Sequence, residues 1–118
     1  MKNQRLNVRT AFAWAGLRAA WHSERSFRTQ VIMALMASVV MGVLQPALIW
    51  WALVGAIIAL VLAAELINTA LEQLVDHLHP AQHPRIKIVK DCSAAAVLLL
   101  SLGAVWVGVL MVFSTLDK

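Results

Sequence analysis

Residues 29–64 read TQVIMALMASVVMGVLQPALIWWALVGAIIALVLAA and contain no Asp, Glu, Lys or Arg. One helical crossing of a bilayer needs about 20 apolar residues, so these 36 residues are too many for one simple span. Gln45-Pro46 stands near the middle of the stretch, where a turn would least disturb two flanking helices. The pattern predicts two membrane helices joined by a tight hairpin.

A second charge-free stretch, residues 92–116, predicts a third span. The whole chain has 118 residues, of which 61% are hydrophobic and 14% are charged, and a soluble domain of this size would not tolerate that composition. We expect one all-α integral membrane domain over residues 1–118. Its spans should lie in helices at about 27–45, 48–76 and 92–115.

Basic residues are concentrated on one side of the predicted membrane. Three spans place the segment before the first span and the segment between the second and third spans on the same side. Nine of the ten basic residues fall in these two segments: Lys2, Arg5, Arg9, Arg18, Arg25, Arg28, Arg85, Lys87 and Lys90, with Lys118 as the exception. The positive-inside rule makes that side the cytoplasm. The net charge of +4 suits anionic headgroups or a phosphorylated substrate, and not nucleic acid, because the cations border the spans.

Residues 1–22 predict an amphipathic helix that lies on the membrane surface. One arc of about 100° on a helical wheel holds Leu6, Ala13, Trp14, Leu17 and Trp21. Arg5 and Arg9 lie on one flank of this arc, and Arg18 lies on the other. Such a helix should lie along the inner surface, with its tryptophans at headgroup level.

A polar stripe interrupts the second predicted span. Glu65, Asn68, Glu72 and Asp76 fall within an arc of about 80° at helical spacing. A carboxylate buried in the membrane costs several kcal/mol unless it is paired, hydrated or protonated. The stripe therefore predicts the lining of a cavity that offers oxygen ligands for Mg²⁺ and a buried base. The alternative is that these acids lie at the helix end and reach water.

Three segments resemble the signature of the prokaryotic diacylglycerol kinases. They are Glu65-x-x-Asn68-Thr69-Ala70-x-Glu72-x-x-x-Asp76, then Lys90-Asp91-x-x-Ala94-Ala95-Ala96-Val97, and upstream Gly16-Leu17-Arg18-Ala19-Ala20-Trp21-x-x-Glu24-x-x-Phe27-Arg28. The resemblance implies three transmembrane helices plus the surface helix, assembled as a homotrimer with shared active sites. It implies phosphorylation of diacylglycerol to phosphatidic acid by Mg-ATP at the cytoplasmic face of a bacterial inner membrane.

The resemblance also assigns roles to individual residues. Glu65 would be the general base, Asn68 would orient the reacting groups, and Glu24 with Glu72 would hold Mg²⁺. The ATP contacts would be Arg5, Phe12, Glu24, Glu72, Ala81, Gln82, His83, Lys90 and Asp91. The lipid contacts would be Arg9, Arg18, Ala19, Ala20, Trp21, Ser26, Phe27, Arg28, Thr29, Gln30, Glu65 and Ala94.

Several positions depart from the family's proteobacterial members. Those members often have a tyrosine at Phe12, a lysine at Ala15, an acid at Gln30 and Glu-Tyr-His at positions 81–83, where this chain has Ala81, Gln82 and His83. Gram-positive relatives with the same signature resemble undecaprenol kinases, so undecaprenol is the alternative lipid. No Gly-x-x-x-x-Gly-Lys-Ser/Thr loop is present, so a kinase activity would not use a soluble nucleotide-binding fold.

Two interpretations that assign the chain to other functional classes remain open at this point. A membrane-embedded Glu65 could exchange protons in a small transporter. The acids could also pair with surface arginines in a scaffold without catalytic activity.

Overall fold

The computed structural model describes residue 3 and residues 5–117, and these contain helices but no strands. Lys2 and Lys118, two of the basic residues counted above, lie outside the described residues. The four helices are α1 (Leu6–Ser23), α2 (Arg25–Leu44), α3 (Leu48–Leu78) and α4 (Pro84–Leu116). The last three are long and apolar enough to cross a membrane. This confirms the predicted all-α fold with three membrane-spanning candidates. The trimer and the amphipathic character of α1 stay predictions.

The turn between α2 and α3 lies at Gln45-Pro46. Gln45 has left-handed backbone angles, with φ 48° and ψ 60°, and its N–H donates to the Met41 carbonyl at 2.8 Å. Its side-chain amide donates to the Gly42 carbonyl at 2.8 Å. Pro46 cannot continue the α2 hydrogen-bond ladder, because it has no backbone N–H. The left-handed residue and the proline together end α2 and reverse the chain within three residues.

The fourth helix begins at Pro84, eight residues before the charge-free stretch 92–116. His83 caps it, because its Nδ1 accepts the Arg85 backbone N–H at 3.1 Å, and proline is favoured in the first helical turn. Lys90 and Asp91 therefore lie on the helix, whereas hydropathy placed the helix start near residue 92. The difference arises because hydropathy marks the membrane boundary and capping marks the helix boundary.

The packing centres on α3, which contacts α4 most extensively and also contacts α2 and α1. Met41, Val54 and Met111 form a buried cluster at the hairpin end of the bundle. Most other large apolar side chains of the spans are exposed, as expected for helices that face lipid or other subunits. Among the described residues, Glu65 is the one buried charged side chain, at 2% exposure.

Candidate active site

Glu65 lies where α3 meets the start of α2. The Ser26 hydroxyl, in the first turn of α2, donates to Glu65 Oε1 at 2.7 Å. The carboxylate does not reach water at the helix end, because its side chain is buried. It is thus a buried acid with one oxygen hydrogen-bonded by a neighbouring helix. Such a group can accept a proton from a hydroxyl brought to its other oxygen.

Asn68, one turn further along α3, faces α4. The Ser93 hydroxyl donates to Asn68 Oδ1 at 2.6 Å. Sequence reasoning did not single out Ser93. The available signal was its position three residues after Lys90, which places both on nearly the same face of α4.

Lys90 and Asp91 are both ion-paired. Lys90 donates to Asp76 Oδ1 at 2.5 Å, and Lys87 donates to Asp91 Oδ2 at 2.6 Å. The hydrogen bond that Lys90 donates to Asp76, and more weakly the nearby charges of Asp76 and Glu72, raise the pKa of Lys90, which precedes the charge-free part of α4. The hydrogen bond and charge of Asp91 likewise raise the pKa of Lys87. Both lysines are therefore positively charged at neutral pH, and each neutralises the carboxylate beside it.

A cavity of about 620 Å³ lies beneath the α3–α4 loop. Five of the expected ATP contacts line it: Ala81, Gln82, His83, Lys90 and Asp91. Asp76 and Lys87 line it too, and the His79 ring packs edge-on against His83 with centroids 5.8 Å apart. The other expected ATP contacts do not line this cavity: Arg5 and Phe12 on the α1 side, and the carboxylates Glu24 and Glu72.

The two expected magnesium ligands are half-buried carboxylates on neighbouring helices. Glu24 is the N-cap of α2, two residues before Ser26, and Glu72 lies two turns after Glu65 on α3. Within residues 3 and 5–117, no side chain hydrogen-bonds Glu72, and no three His, Cys, Asp or Glu residues form a cluster that could hold a metal. Magnesium in kinase sites is commonly held by one or two carboxylates together with substrate phosphates, so two carboxylates could hold the ion only together with a bound nucleotide.

The expected lipid contacts differ in how far their side chains are exposed. Ala20 and Phe27 are buried, at 2% and 3% exposure, so they present little surface to a lipid. Arg28 donates to the carbonyls of Trp21 and His22 at 2.7 and 3.3 Å. It therefore caps the end of α1, a role that cations commonly take at helix C-termini. The side chains of Arg9, Arg18, Ala19, Trp21, Ser26, Thr29 and Ala94 are exposed.

An apolar crevice of about 570 Å³ runs between α2 and α4. Its polar residues are Gln30 and Ser101, whose side chains are hydrogen-bonded at 3.0 Å. The α3 wall begins at Val61 and Leu62, about one turn from Glu65. The opposite end reaches Phe113, near the end of α4. Glu65 thus lies close to the polar end of a space that suits a hydrocarbon chain.

Comparison with known proteins gives consistent matches. The family described as prokaryotic diacylglycerol kinase matches residues 11–112. A diacylglycerol kinase of Synechocystis sp. is 38% identical over 104 residues, which are 87% of this chain and 59% of that protein. The diacylglycerol kinase of Escherichia coli strain K12 is 35% identical over 94 residues, 80% of this chain and 77% of that protein.

A Pseudomonas aeruginosa diacylglycerol kinase is 33% identical over 104 residues, 86% of this chain and 85% of that protein. The chain spans less than two thirds of the length of the Synechocystis relative but most of the length of the other two. The family match covers the polar stripe of α3, the start of α2 and the start of α4. The chain therefore belongs to the prokaryotic diacylglycerol kinase family, a family of enzymes.

Proposed function

We propose that this chain transfers the γ-phosphate of ATP to the hydroxyl of a membrane lipid, with diacylglycerol as substrate and phosphatidic acid as product. The observation that carries the proposal is the buried Glu65, hydrogen-bonded at Oε1 by Ser26. A polar cavity beneath the α3–α4 loop and an apolar crevice between α2 and α4 lie to either side of it along α3. An enzyme that joins a soluble nucleotide to a lipid needs both a polar and an apolar environment.

In the proposed reaction, Glu65 takes the proton of the lipid hydroxyl as the oxygen attacks the γ-phosphorus in line. A new P–O bond to the lipid forms, the bond to the β-phosphate oxygen breaks, and ADP leaves. Lys90 leaves its ion pair with Asp76, binds the transferred phosphate and neutralises its negative charge. The Asn68 amide donates hydrogen bonds to the reacting oxygens. Glu24 and Glu72 would hold Mg²⁺, which would supply further charge neutralisation. Holding the two substrates in place carries most of the rate enhancement.

The crevice supports a lipid as the acceptor. A lipid whose hydroxyl reaches Glu65 would have its chain directed along α3 past Val61, between α2 and α4. Gln30 and Ser101 lie at the polar end of this path and would face the headgroup. The lining beyond them is apolar, as a hydrocarbon chain requires.

The assembly and orientation are part of the same proposal. The site would face the cytoplasm of a bacterial inner membrane, which the basic residues around the spans support. Maleimide labelling of Gln82→Cys in a Cys92→Ser background, applied from each side of the membrane, tests this orientation. The homotrimer implied by the family signature is tested by native mass spectrometry, where three chains of 12.9 kDa are expected in one particle.

The function itself is tested by phosphate transfer from labelled Mg-ATP in mixed micelles. The purified protein receives diacylglycerol in one reaction and undecaprenol in another, with micelles that lack both lipids as the blank. We expect labelled phosphatidic acid and little labelled undecaprenol. A preference for undecaprenol would keep the reaction and change the substrate, and transfer to neither lipid would contradict the proposal.

A further inference from the structure

Two serine hydroxyls reach the same face of α3 from opposite sides. Ser26 on α2 bonds Glu65, and Ser93 on α4 bonds Asn68, one turn along α3. Both hydrogen bonds join different helices, whereas the other described serine and threonine donors bond their own helix. We propose that Ser26 and Ser93 are positioning residues, an inference that rests on the proposed kinase function. Ser26 would fix the base Glu65 relative to α2, and Ser93 would fix the Asn68 amide relative to α4.

The Ser26 hydrogen bond determines which oxygen of Glu65 meets the substrate. A carboxylate has two oxygens, and here Oε1 accepts the hydroxyl at 2.7 Å. Oε2 is left for the proton of the lipid hydroxyl. Ser26 lies two residues after Glu24, the proposed metal ligand, so the bond also links the base to the helix that holds the metal. A buried carboxylate without this donor would be free to rotate.

The Ser93 hydrogen bond determines which way the Asn68 amide points. The contact of 2.6 Å suits O–H···O and is shorter than usual for N–H···O, so the amide oxygen faces Ser93. Both N–H groups of the amide are then directed away from α4 and can donate to reacting oxygens. Ser93 follows Lys90 by three residues on α4. The bond therefore ties Asn68 to the helix that brings the proposed phosphate-binding cation.

Groups that act through positioning change kcat more than KM, because they matter most when charge moves in the transition state. We expect Ser26→Ala and Ser93→Ala each to lower kcat by about tenfold. The KM values for Mg-ATP and for the lipid should stay within about twofold. Ser26→Thr and Ser93→Thr keep the hydroxyl and should recover most of the lost rate. Ser38→Ala is the matched control, because the Ser38 hydroxyl bonds only the Ala34 carbonyl of its own helix.

Double variants separate positioning from general stability. If Ser26 acts through Glu65, adding Ser26→Ala to Glu65→Gln should lower the residual rate no further, and the same should hold for Ser93→Ala in an Asn68→Ala background. Unchanged kcat in both serine variants would overturn the inference. A further loss of about tenfold in the kcat of the double variants would also overturn it, and so would an equal loss of kcat in Ser38→Ala.

The proposed function and this inference fail separately. An active wild-type chain with fully active serine variants overturns the positioning role alone. A wild-type chain that phosphorylates no lipid overturns both. If an alanine variant does not elute as the wild-type oligomer in size-exclusion chromatography, the threonine variant at the same position provides the test. A wild-type kcat in the threonine variant supports the inference, and a tenfold loss of kcat in a threonine variant that keeps the wild-type oligomer contradicts it.

Discussion

Glu65→Gln is expected to lower kcat for lipid phosphorylation by about 10²- to 10⁴-fold, the usual contribution of a general base. The amide has nearly the same shape and still accepts the Ser26 hydrogen bond at its oxygen, but it cannot take the lipid proton. The KM value for Mg-ATP should change little, because the cavity expected to hold the nucleotide is lined on α3 by Asp76, about three turns from Glu65. Initial rates with labelled ATP and diacylglycerol in mixed micelles measure the effect.

Asp117→Asn provides the matched control for this variant. It makes the same change from carboxylate to amide at the far end of α4, next to the last helical turn. Its rate should equal that of the wild-type chain. Full activity of Glu65→Gln would exclude Glu65 as the base, even though the chain belongs to a kinase family.

Lys90→Met should lower kcat/KM for ATP by about a hundredfold, comparable to removal of one charge-stabilising donor from an active site. Methionine has a similar length but no positive charge, so nothing at this position neutralises the transferred phosphate. The variant also leaves Asp76 without its cation, which adds repulsion between a carboxylate and the nucleotide. Rates measured over a range of Mg-ATP concentrations give kcat and KM separately.

Arg85→Met controls for the loss of one positive charge near the same loop. The Arg85 side chain is exposed and does not line the cavity beneath the α3–α4 loop, although it lies on the first turn of α4. We expect its kcat/KM to stay within about twofold of the wild-type value, because an exposed charge near ions in solution is largely screened. An equal loss in both variants would mean that Lys90 acts through the net charge of the loop and not by direct contact with phosphate.

The structure also tests the two alternative hypotheses, a scaffold without catalytic activity and a proton-coupled transporter. A scaffold was expected to pair the acids of the stripe with surface arginines. Within residues 3 and 5–117, the ion pairs are Lys90 with Asp76 and Lys87 with Asp91, so no described arginine pairs with Glu65, Glu72 or Asp76. A proton-coupled transporter needs no nucleotide site, so proton-driven transport without ATP would be the sign of that activity. Family membership favours the kinase over both readings.

Residue patterns alone were enough to predict the helices and the polar face of α3. A bilayer admits only helices or closed barrels, so charge-free stretches of the right length predict spans directly. The spacing of Glu65, Asn68, Glu72 and Asp76 placed them on one face, because helical periodicity is local. Three of these four residues do bond a neighbouring helix in the structure.

The partners of that face were decided only by the tertiary structure. Ser26 with Glu65 and Ser93 with Asn68 are 39 and 25 residues apart in sequence, and Gln30 with Ser101 are 71 apart. Which residues meet depends on the rotation and axial register of each helix, and these are set by packing at distant points such as Met41, Val54 and Met111. Hydropathy predicts that a helix lies in the membrane, and helical periodicity predicts which of its faces is polar. Neither predicts which turn of the next helix that face will meet, because many registers bury similar apolar area and only the packed side chains distinguish them.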